Sequence, residues 1–542
     1  MNFLKRVLNR LRQNKFDAEF DSDQLDISQR EHLVSQTKLA AGLDKNAKLI
    51  KEAMGYSLDL EMVRFKTGPQ QIPSAIFYLD GMVDNKNIED LLRTIKIDIF
   101  VTGLKAVGSE EIFNTAREQL LTSVEVEASD NLNQILTEIS SGATILIFQG
   151  TPCALICATR GWQTRAITES IVETAIRAPK ESFVENLRTN TSLLRRRIHT
   201  PNLWMESFMV GDLTRTRVGL VYIKGLADEK IVGEVRSRIE SIQIDGILES
   251  SYTEDFLQDQ PLTVFPLVFR TERPDRVAGA LLEGRVAVLT DGTPFVLIVP
   301  NHLPAMKEGP DDYYEQFPLG AFLRLLRYTA FLTSLFLPGV YVAVINFHPE
   351  LLPTVLFLRI VASREGIPFP AIVEALIIEL IFEVLREAGV RMPVTIGPAI
   401  SIVGALVLGD AAIRAGLVSP AMVIVVAMTA IASFTVPVFS LGISARILRF
   451  GVIILGAIFG LFGIQLALIL LLIHLCALRS FGLPYMYPLA PLVTEDMKDT
   501  LVRLPWWAQV KRPKLVGYRE PVRQPWGPRP GRRTGPRGER RD

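Results

Sequence analysis

The chain has 542 residues, of which 48% are hydrophobic and 22% are charged, and its formal net charge is +1. This near-neutral balance excludes a protein that is strongly basic or acidic as a whole, and three scattered cysteines argue against a disulfide framework. Charged residues crowd the sequence before residue 327 and after residue 495, whereas apolar runs fill the region between. We therefore predict an α+β membrane protein with a soluble first half and a helical membrane domain.

The first 44 residues, 1–44, are predicted to be a flexible N-terminal segment. Met1–Phe16 mixes leucines with lysines and arginines and lacks the apolar core of about 7–15 residues that a secretory signal needs. We interpret it as a solvated tail, with a basic amphipathic helix on the membrane surface as the alternative. Asp17–Asp26 is acidic, which fits a flexible stretch.

Two stretches of the soluble half share one pattern, an apolar strand that ends in a glycine and is followed by an aspartate and a helix. Gly81 and Asp84 occupy these positions in the first stretch, and Gly225 and Asp228 occupy them in the second. Glycine suits a sharp exit from a strand, and aspartate is a preferred N-cap of a helix. The pattern therefore predicts a strand–turn–helix unit that occurs twice.

A second pair of matching stretches supports a duplication. Gly-Thr-Pro occurs at Gly150 and at Gly292, each time between two apolar runs, which is typical of a β-hairpin. The glycines of the two pairs lie 144 and 142 residues apart. We therefore predict two related cytosolic α/β modules, at residues 45–180 and 181–300. Chance similarity of short strand–turn patterns is the alternative.

The sequence contains no motif that indicates catalysis. The phosphate-binding Gly-x4-Gly-Lys-Ser/Thr, the metalloprotease His-Glu-x2-His and the nucleophile motif Gly-x-Ser-x-Gly are absent from it. The Asp-Gly-Thr-Pro stretch at Asp291 looks like a catalytic loop, but a hairpin turn requires the same residue types. We expect no enzyme activity, no catalytic residue, no cofactor and no metal site.

A linker at residues 301–327 leads to an α-helical transmembrane domain that we predict at residues 328–480. About 20 apolar residues cross a bilayer as a helix, and four uncharged runs reach that length. These runs are Tyr328–Phe347, Met392–Gly409, Ala415–Ala445 and Phe450–Ile473. Gly456 and Gly460 in the last run are small enough to allow close contact between helices.

The positive-inside rule sets the predicted orientation. Basic residues precede the first run at Arg324 and Arg327 and dominate the chain after residue 503, which places both termini in the cytoplasm. Four crossings satisfy this orientation because it demands an even number. Arg446 and Arg449 then fall on the outer side, against the rule.

A helix predicted at residues 371–388 is apolar but contains four acids, and it is the sharpest chemical signal in the chain. Glu379, Glu383 and Glu387 share one helix face, and Glu374 lies nearer the helix start. An acid at the bilayer centre costs about 2.5–3.5 kcal/mol on insertion scales, so this face must meet water or protein. We place the helix in the membrane or at its interface without crossing, and an amphipathic surface helix is the alternative.

These four glutamates are candidate pore-lining residues. Rings of carboxylates attract cations and select against anions, and several copies of one helix are needed to enclose a path. The alternative is that the acids pair with Arg364, Arg386 or Arg391 in a packed layer at the level of the lipid headgroups.

The last segment, residues 481–542, is predicted to be a cytosolic basic tail that is rich in proline and arginine. Arg503–Asp542 contains twelve basic residues against three acids and is too polar to bury a core. Because the tail follows a membrane domain, we expect membrane lipid as its partner and no nucleic acid.

Several longer motifs occur in one order along the chain and together carry a resemblance. Among them are Glu185-Asn-Leu-Arg-Thr-Asn, Thr271-Glu-Arg-Pro-Asp, Asp291-Gly-Thr-Pro-Phe, Arg364-Glu-Gly-Ile-Pro-Phe-Pro and Leu478-Arg-Ser-Phe-Gly-Leu-Pro-Tyr. Through these motifs the chain resembles the GerA family, the A subunits of the spore-germination receptors of endospore-forming bacteria. The resemblance covers roughly residues 45–515.

The resemblance implies a multi-pass protein of the spore inner membrane that acts in spore germination. It also implies a transporter-like B subunit and a lipoprotein C subunit as partners. In such a receptor the A subunits would form a homo-oligomer that acts as a nutrient-gated cation channel. Two alternatives stay open: a non-conducting scaffold that relays a signal, and a channel accessory like the stage V sporulation protein AF branch of the same family.

Overall fold

The computed structural model describes residues 26–68, 70–98, 108–120, 124–161, 173, 177–391, 409–514 and 520–524. Most of the predicted N-terminal segment, almost all of the predicted span Met392–Gly409 and the end of the predicted tail lie outside these residues. The described chain is mixed α/β, with two β-sheets in its first part and long helices after residue 316.

Short helices surround the two sheets. The strands are β1 (Leu60–Thr67), β2 (Ile72–Leu79), β3 (Val126–Ser129), β4 (Thr144–Phe148), β5 (Ala154–Cys157), β6 (Leu203–Val210), β7 (Thr216–Ile223), β8 (Phe269–Thr271), β9 (Val286–Thr290) and β10 (Val296–Val299). The helices are α1 (Ile27–Gln36), α2 (Leu43–Ala53), α3 (Asn85–Arg93), α4 (Ser109–Leu120), α5 (Leu132–Ser140), α6 (Leu187–Arg195), α7 (Glu229–Glu240), α8 (Ser250–Leu257), α9 (Pro274–Leu282) and α10 (Pro310–Tyr314).

The two sheets have the same strand order. The first sheet is ordered β1-β2-β4-β5-β3, and the second is ordered β6-β7-β9-β10-β8, with antiparallel pairing throughout. Each strand of the first sheet thus corresponds to the strand five later in the second. A duplication requires this identity of topology, while the boundaries and common origin of the two modules stay predictions.

The predicted strand exits, helix caps and hairpins are confirmed. Gly81 and Gly225 have φ angles of 82° and 84°, in the left-handed region that glycine enters without steric cost. Asp84 and Asp228 are the N-caps of α3 and α7, and their side chains accept hydrogen bonds from the second amide of each helix. The predicted hairpins join β4 to β5 and β9 to β10.

A buried ion pair joins the regions around the two sheets. Arg195, at the end of α6, donates hydrogen bonds from Nε and Nη2 to the two carboxylate oxygens of Asp59, at 2.8 and 3.1 Å. The two side chains are 0% and 2% exposed. The amide of Leu58 also donates to the carbonyl of Met205 at 2.7 Å, so backbone and side-chain contacts hold the same joint.

The second part of the described chain is a bundle of helices. These helices are α11 (Phe317–Phe347), α12 (Thr354–Arg364), α13 (Ala371–Arg391), α14 (Pro420–Phe434) and α15 (Phe439–Ala477). By length and apolar composition, α11 and α15 are able to cross a membrane, and α14 is a shorter apolar helix. The α11 helix contains the whole predicted span Tyr328–Phe347.

The predicted run Phe450–Ile473 is not one straight span, because α15 reverses direction at Gly460. This glycine has φ 61° and ψ −144°, which no helix accommodates, and residues 439–459 and 461–477 form the two arms of a hairpin. Val452 in the first arm and Ala467 in the second belong to one buried cluster. The tip of the hairpin lies against Phe347 at the end of α11.

The predicted run Ala415–Ala445 is also divided. Helix α14 ends at Phe434 and α15 begins at Phe439, so four residues interrupt the run. Pro437 lies in this break and has no amide hydrogen to continue a helical ladder. The absence of charge predicts one long apolar run, but it does not predict where the helix stops.

Both arms of the α15 hairpin return to the second sheet. The side chain of Ser444 in the first arm donates to the carbonyl of Val264, and His474 in the second arm lies 3.0 Å from the hydroxyl of Thr263. Tyr485, just beyond α15, is buried in the same apolar cluster as the second sheet. The first part of the predicted tail is thus packed against the part of the chain before α11 that contains the two sheets, which we call the soluble region.

A buried cluster of charges anchors the base of α11. Arg324 is 0% exposed and donates to Asp312 Oδ2 at 3.1 Å and to Asp499 Oδ1 at 3.0 Å. The hydroxyl of Tyr313 lies 3.1 Å from Glu308 Oε2 and 3.0 Å from Asp499 Oδ2. Burial raises the pKa of Glu308 to about 7, since its charged form has lost its water. Glu308 at the base of α11 therefore holds its proton more tightly than a solvent-exposed carboxyl group does.

We predict that Arg195→Leu destabilises the protein by about 3–5 kcal/mol, because it leaves the buried Asp59 carboxylate without its partner. Arg188 is the matched control, since it pairs with Asp80 across the same joint but is 51% exposed. Arg188→Leu should cost less than about 1 kcal/mol. Urea unfolding of the purified full chain measures both changes, and equal losses would contradict the assignment.

We predict that Gly456→Ala lowers the melting temperature of the protein. A Cβ atom at Gly456 would lie 2.7 Å from the carbonyl oxygen of Gly339, so α11 and α15 would have to separate. Gly451→Ala is the control in the same helix, because a Cβ atom there meets no described atom within 4 Å. The control should be neutral or stabilising, since alanine favours helix by about 1 kcal/mol over glycine.

We predict that Glu308 makes the stability of the protein depend on pH. Its pKa in the folded chain, about 7, is above the ordinary 4.5, so the folded state holds the proton more tightly. Stability should therefore fall as the pH rises from about 4.5 to about 7. Glu308→Gln should reduce the difference between melting temperatures at pH 5 and pH 8, whereas exposed Glu240→Gln should not. An unchanged difference in Glu308→Gln would refute this.

Candidate functional site

The acidic helix predicted at residues 371–388 exists as α13, three residues longer than predicted. Its apolar face packs along the length of the neighbouring helices α11, α14 and α15. Ala375 and Ile378 share a buried cluster with Val342 of α11, Val426 of α14 and Ile453 of α15. The apolar side chains between the acids therefore position α13 lengthwise among three other helices.

Glu379 forms the most buried contact of the helix. Its Oε2 accepts a hydrogen bond from Arg449 Nη1 at 2.6 Å, and the two side chains are 1% and 2% exposed. The Nε of Arg449 also donates to the carbonyl of Ser334 in α11 at 2.7 Å. Glu379 Oε1 and Arg449 Nη2 have no hydrogen-bond partner among the described residues. One ion pair thus connects α11, α13 and α15.

Glu374 is held in a similar way at the start of the helix. Its carboxylate lies 3.0 Å from Arg364 Nη2 at the end of α12 and accepts a hydrogen bond from the amide of Ser419 at 3.0 Å. The side chain is 0% exposed. Glu374 therefore fixes the start of α13 beside the start of α14.

Glu383 is shared by two arginines. It lies 2.9 Å from Arg446 of α15 and 3.6 Å from Arg386 of its own helix, and its side chain is 26% exposed. Arg386 also donates to the hydroxyl of Ser433 at the end of α14, at 2.9 Å. Since α13 and α14 meet at both their starts and their ends, the two helices run in the same direction.

Glu387 lies near the end of α13 on the surface of the chain. Its side chain is 65% exposed and lies 2.6 Å from Arg391 one turn later. The four predicted residues therefore lie along one helix over about 20 Å. Glu374 and Glu379 are buried, Glu383 is partly exposed and Glu387 is exposed. Every one of them has an arginine partner.

Sequence reasoning identified three of these partners and missed two. Arg364, Arg386 and Arg391 were foreseen because they lie near the acids in the sequence. Arg446 and Arg449 lie on α15, more than sixty residues away, so helical periodicity in α13 carries no information about them. One feature of the sequence does point to Arg446 and Arg449: they lie between apolar runs, against the positive-inside rule. Arginines in such a position need acidic partners nearby.

The arrangement binds helices together and leaves two carboxylates, Glu383 and Glu387, in contact with an open surface groove. Val384, Ala388 and the basic side chain of Arg391 line the same groove. Carboxylates at such a position attract cations, whereas the fully buried pair of Glu379 and Arg449 is a structural contact.

The match to a family model covers most of the chain, from residue 48 to residue 515, and the model describes the Bacillus/Clostridium GerA spore germination protein. The matched region includes both sheets, the helical bundle and the segment that returns from α15. This agrees with the range of the resemblance found from the sequence motifs.

Two curated relatives match at nearly full length. Spore germination protein KA of Bacillus subtilis is 45% identical over 493 residues, which cover 91% of this chain and 90% of that protein. Spore germination protein B1 of the same organism is 36% identical over 487 residues, which cover 90% of this chain and 100% of that protein.

A solved structure also matches the chain. It is the crystal structure of the N-terminal domain of the A subunit of the Bacillus megaterium spore germinant receptor GerK3, with 38% identity and a TM-score of 0.40. The match covers 49% of this chain and 98% of the solved one. With a family match across both the soluble and the helical parts, this chain belongs to the GerA family of spore germination proteins.

Proposed function

We propose that this protein is the A subunit of a spore germinant receptor and that it resides in the spore inner membrane. The observation that carries the proposal is the family match from residue 48 to residue 515, which includes the soluble sheets and the helical bundle together. Relatives at 45% and 36% identity carry the name of spore germination proteins over nine-tenths of this chain. A transporter-like B subunit and a lipoprotein C subunit are the proposed partners.

We propose six membrane crossings instead of the four predicted from the sequence, with both termini cytoplasmic. Helix α11 leaves the soluble region, α13 and α14 run back towards it, and the two arms of α15 leave and return. The end of α13 and the start of α14 lie at opposite ends of the bundle, and the uncharged sequence between them has the length of a span. An even number keeps both termini on one side, as the basic ends favour.

We propose further that several copies assemble into a cation channel with α13 as the lining helix. A single lining helix cannot enclose a pore, so several identical subunits in a cyclic assembly would have to supply the walls. Glu383 and Glu387 are the carboxylates exposed enough to meet a water-filled path, at 26% and 65%. Glu374 and Glu379 are buried, and their ion pairs would hold the lining helix against the other helices of its own subunit.

A non-conducting scaffold is the second candidate function, and the ion pairs favour it. Each glutamate of α13 lies within 4 Å of an arginine, so the net charge of the helix surface is close to balanced. A balanced surface concentrates cations less than a ring of free carboxylates does. Under this alternative the bundle relays a signal through the base of α11 without conducting.

We predict that a deletion strain and a set of variant strains test the receptor role and the channel role independently. Spores without the gene should lose their response to at least one nutrient, and the wild-type gene should restore it. Genes with Glu383→Gln and Glu387→Gln should restore assembly but slow the nutrient-triggered release of cations, because the lining loses charge. Exposed Glu365→Gln, outside α13, is the matched control and should restore full release.

The purified proteins extend this test to liposomes. The Glu383→Gln, Glu387→Gln double variant should form the same oligomer as wild type but show reduced selectivity for cations over anions. Wild-type selectivity in the assembled double variant would refute the lining assignment and favour the scaffold. Normal germination of the deletion strain with every nutrient would refute the receptor role itself.

A further inference from the structure

A crevice of about 340 Å³ lies where the soluble region meets the ends of the bundle helices. One wall consists of Arg276 and the Gly309-Pro310-Asp311 turn from the soluble side. The opposite wall consists of residues 433–437 between α14 and α15, together with Arg446. The volume is roughly ten times the 30 Å³ of one water molecule, so the crevice has room for a polar headgroup.

Four arginines line this crevice: Arg276, Arg327, Arg386 and Arg446. The last two share the carboxylate of Glu383, at 3.6 and 2.9 Å. Glu387 lines a neighbouring groove with them, but it pairs with Arg391, so this group of five charged side chains has one more arginine than glutamate. Guanidinium groups bind phosphate oxygens with two parallel hydrogen bonds, which makes clustered arginines a typical phosphate site.

The other charges of the crevice are compensated. Arg276 lies 3.8 Å from Glu173, and Arg327 pairs with Asp312, which also binds Arg324. Asp311 is an acid on the soluble wall. The positive charge that Glu383 does not balance therefore lies on the helix side, at Arg386 and Arg446, opposite the carboxylate of Asp311.

The first turn of α15 adds to the positive potential at this wall. The helix begins at Phe439, two residues after Pro437, and no described side chain caps its first amides. Uncapped amides at a helix N-terminus carry a partial positive charge and bind anions. Phe439 and Arg446 are on the same arm and both line the crevice.

An exposed apolar stripe on α14 ends at the same place. Ile424, Met428, Ile431 and Phe434 are 61%, 54%, 67% and 73% exposed and follow one another at helical spacing. Phe434 lines the crevice itself. A surface that is apolar along a helix and cationic at the helix end matches the chemistry of a phospholipid, acyl chains beside a phosphate.

We propose that this crevice binds the phosphate of an anionic phospholipid, whose acyl chains lie along the exposed stripe of α14. Free phosphate shares the headgroup chemistry, but it would leave the stripe uncovered. The site does not depend on ion conduction, so its failure and the failure of the channel proposal are separate results. Its occupation would connect the soluble region to the cytoplasmic leaflet at the start of α15.

The test is a titration of the purified full chain with phosphatidylglycerol and with zwitterionic phosphatidylcholine, measured as bound lipid by native mass spectrometry. Wild type should bind phosphatidylglycerol about tenfold more tightly than phosphatidylcholine. Arg446→Gln should remove this preference, and Glu383 keeps Arg386 as its partner in that variant. Arg446→Lys should retain most of the preference, and Arg479→Gln, an exposed arginine outside the crevice, should retain all of it.

Four results would overturn the proposal. The first is equal binding of the two lipids by wild type, and the second is an unchanged lipid preference in Arg446→Gln. The third is displacement of phosphatidylglycerol by millimolar inorganic phosphate, which would make the crevice a free-anion site. The fourth is a change of oligomer mass with no change in bound lipid, which would mean that a second copy covers the crevice. Melting temperatures of all variants show whether each protein is folded.

Discussion

A carboxylate among apolar helices needs an opposite charge beside it, and this constraint organises the helical part of the protein. Burying either Glu379 or Arg449 alone would cost several kcal/mol, whereas a close pair with a further hydrogen bond offsets much of that cost. The pair joins α13 to α15, and the bond from Arg449 to the Ser334 carbonyl adds α11. One charged contact thus joins three helices that also share a buried apolar cluster.

Buried ion pairs also connect the parts of the soluble region to one another and to the bundle. Arg195 and Asp59 connect the surroundings of the two sheets, and Arg324 with Asp312 anchors α11 where it leaves the second sheet. The arms of α15 return to the same region, so the first and the last helix of the bundle are both attached to the soluble region. A rotation of the second sheet would therefore move the base of α11 and the hairpin together.

The charges of α13 divide into two groups with different consequences. The acids that are fully buried hold the helix in place, while Glu383 and Glu387 lie towards the end of the bundle that faces the two sheets and remain accessible. The same end contains the arginine surplus that lines the crevice beside α15. Proposed cation attraction and proposed lipid binding thus depend on neighbouring but opposite charges, and Arg446 belongs to the lipid side because Glu383 keeps a second partner.

The sequence by itself determined the features that local chemistry controls. The glycine turns, the aspartate caps, the extent of the acidic helix and the family all follow from residues that are close along the chain. The tertiary structure decided the features that depend on distant partners. Arg449 meets Glu379 from seventy residues away, and Gly460 reverses α15, although glycine in an apolar run equally fits close helix contact. Local periodicity reports which face of a helix is apolar, but only packing decides what that face meets.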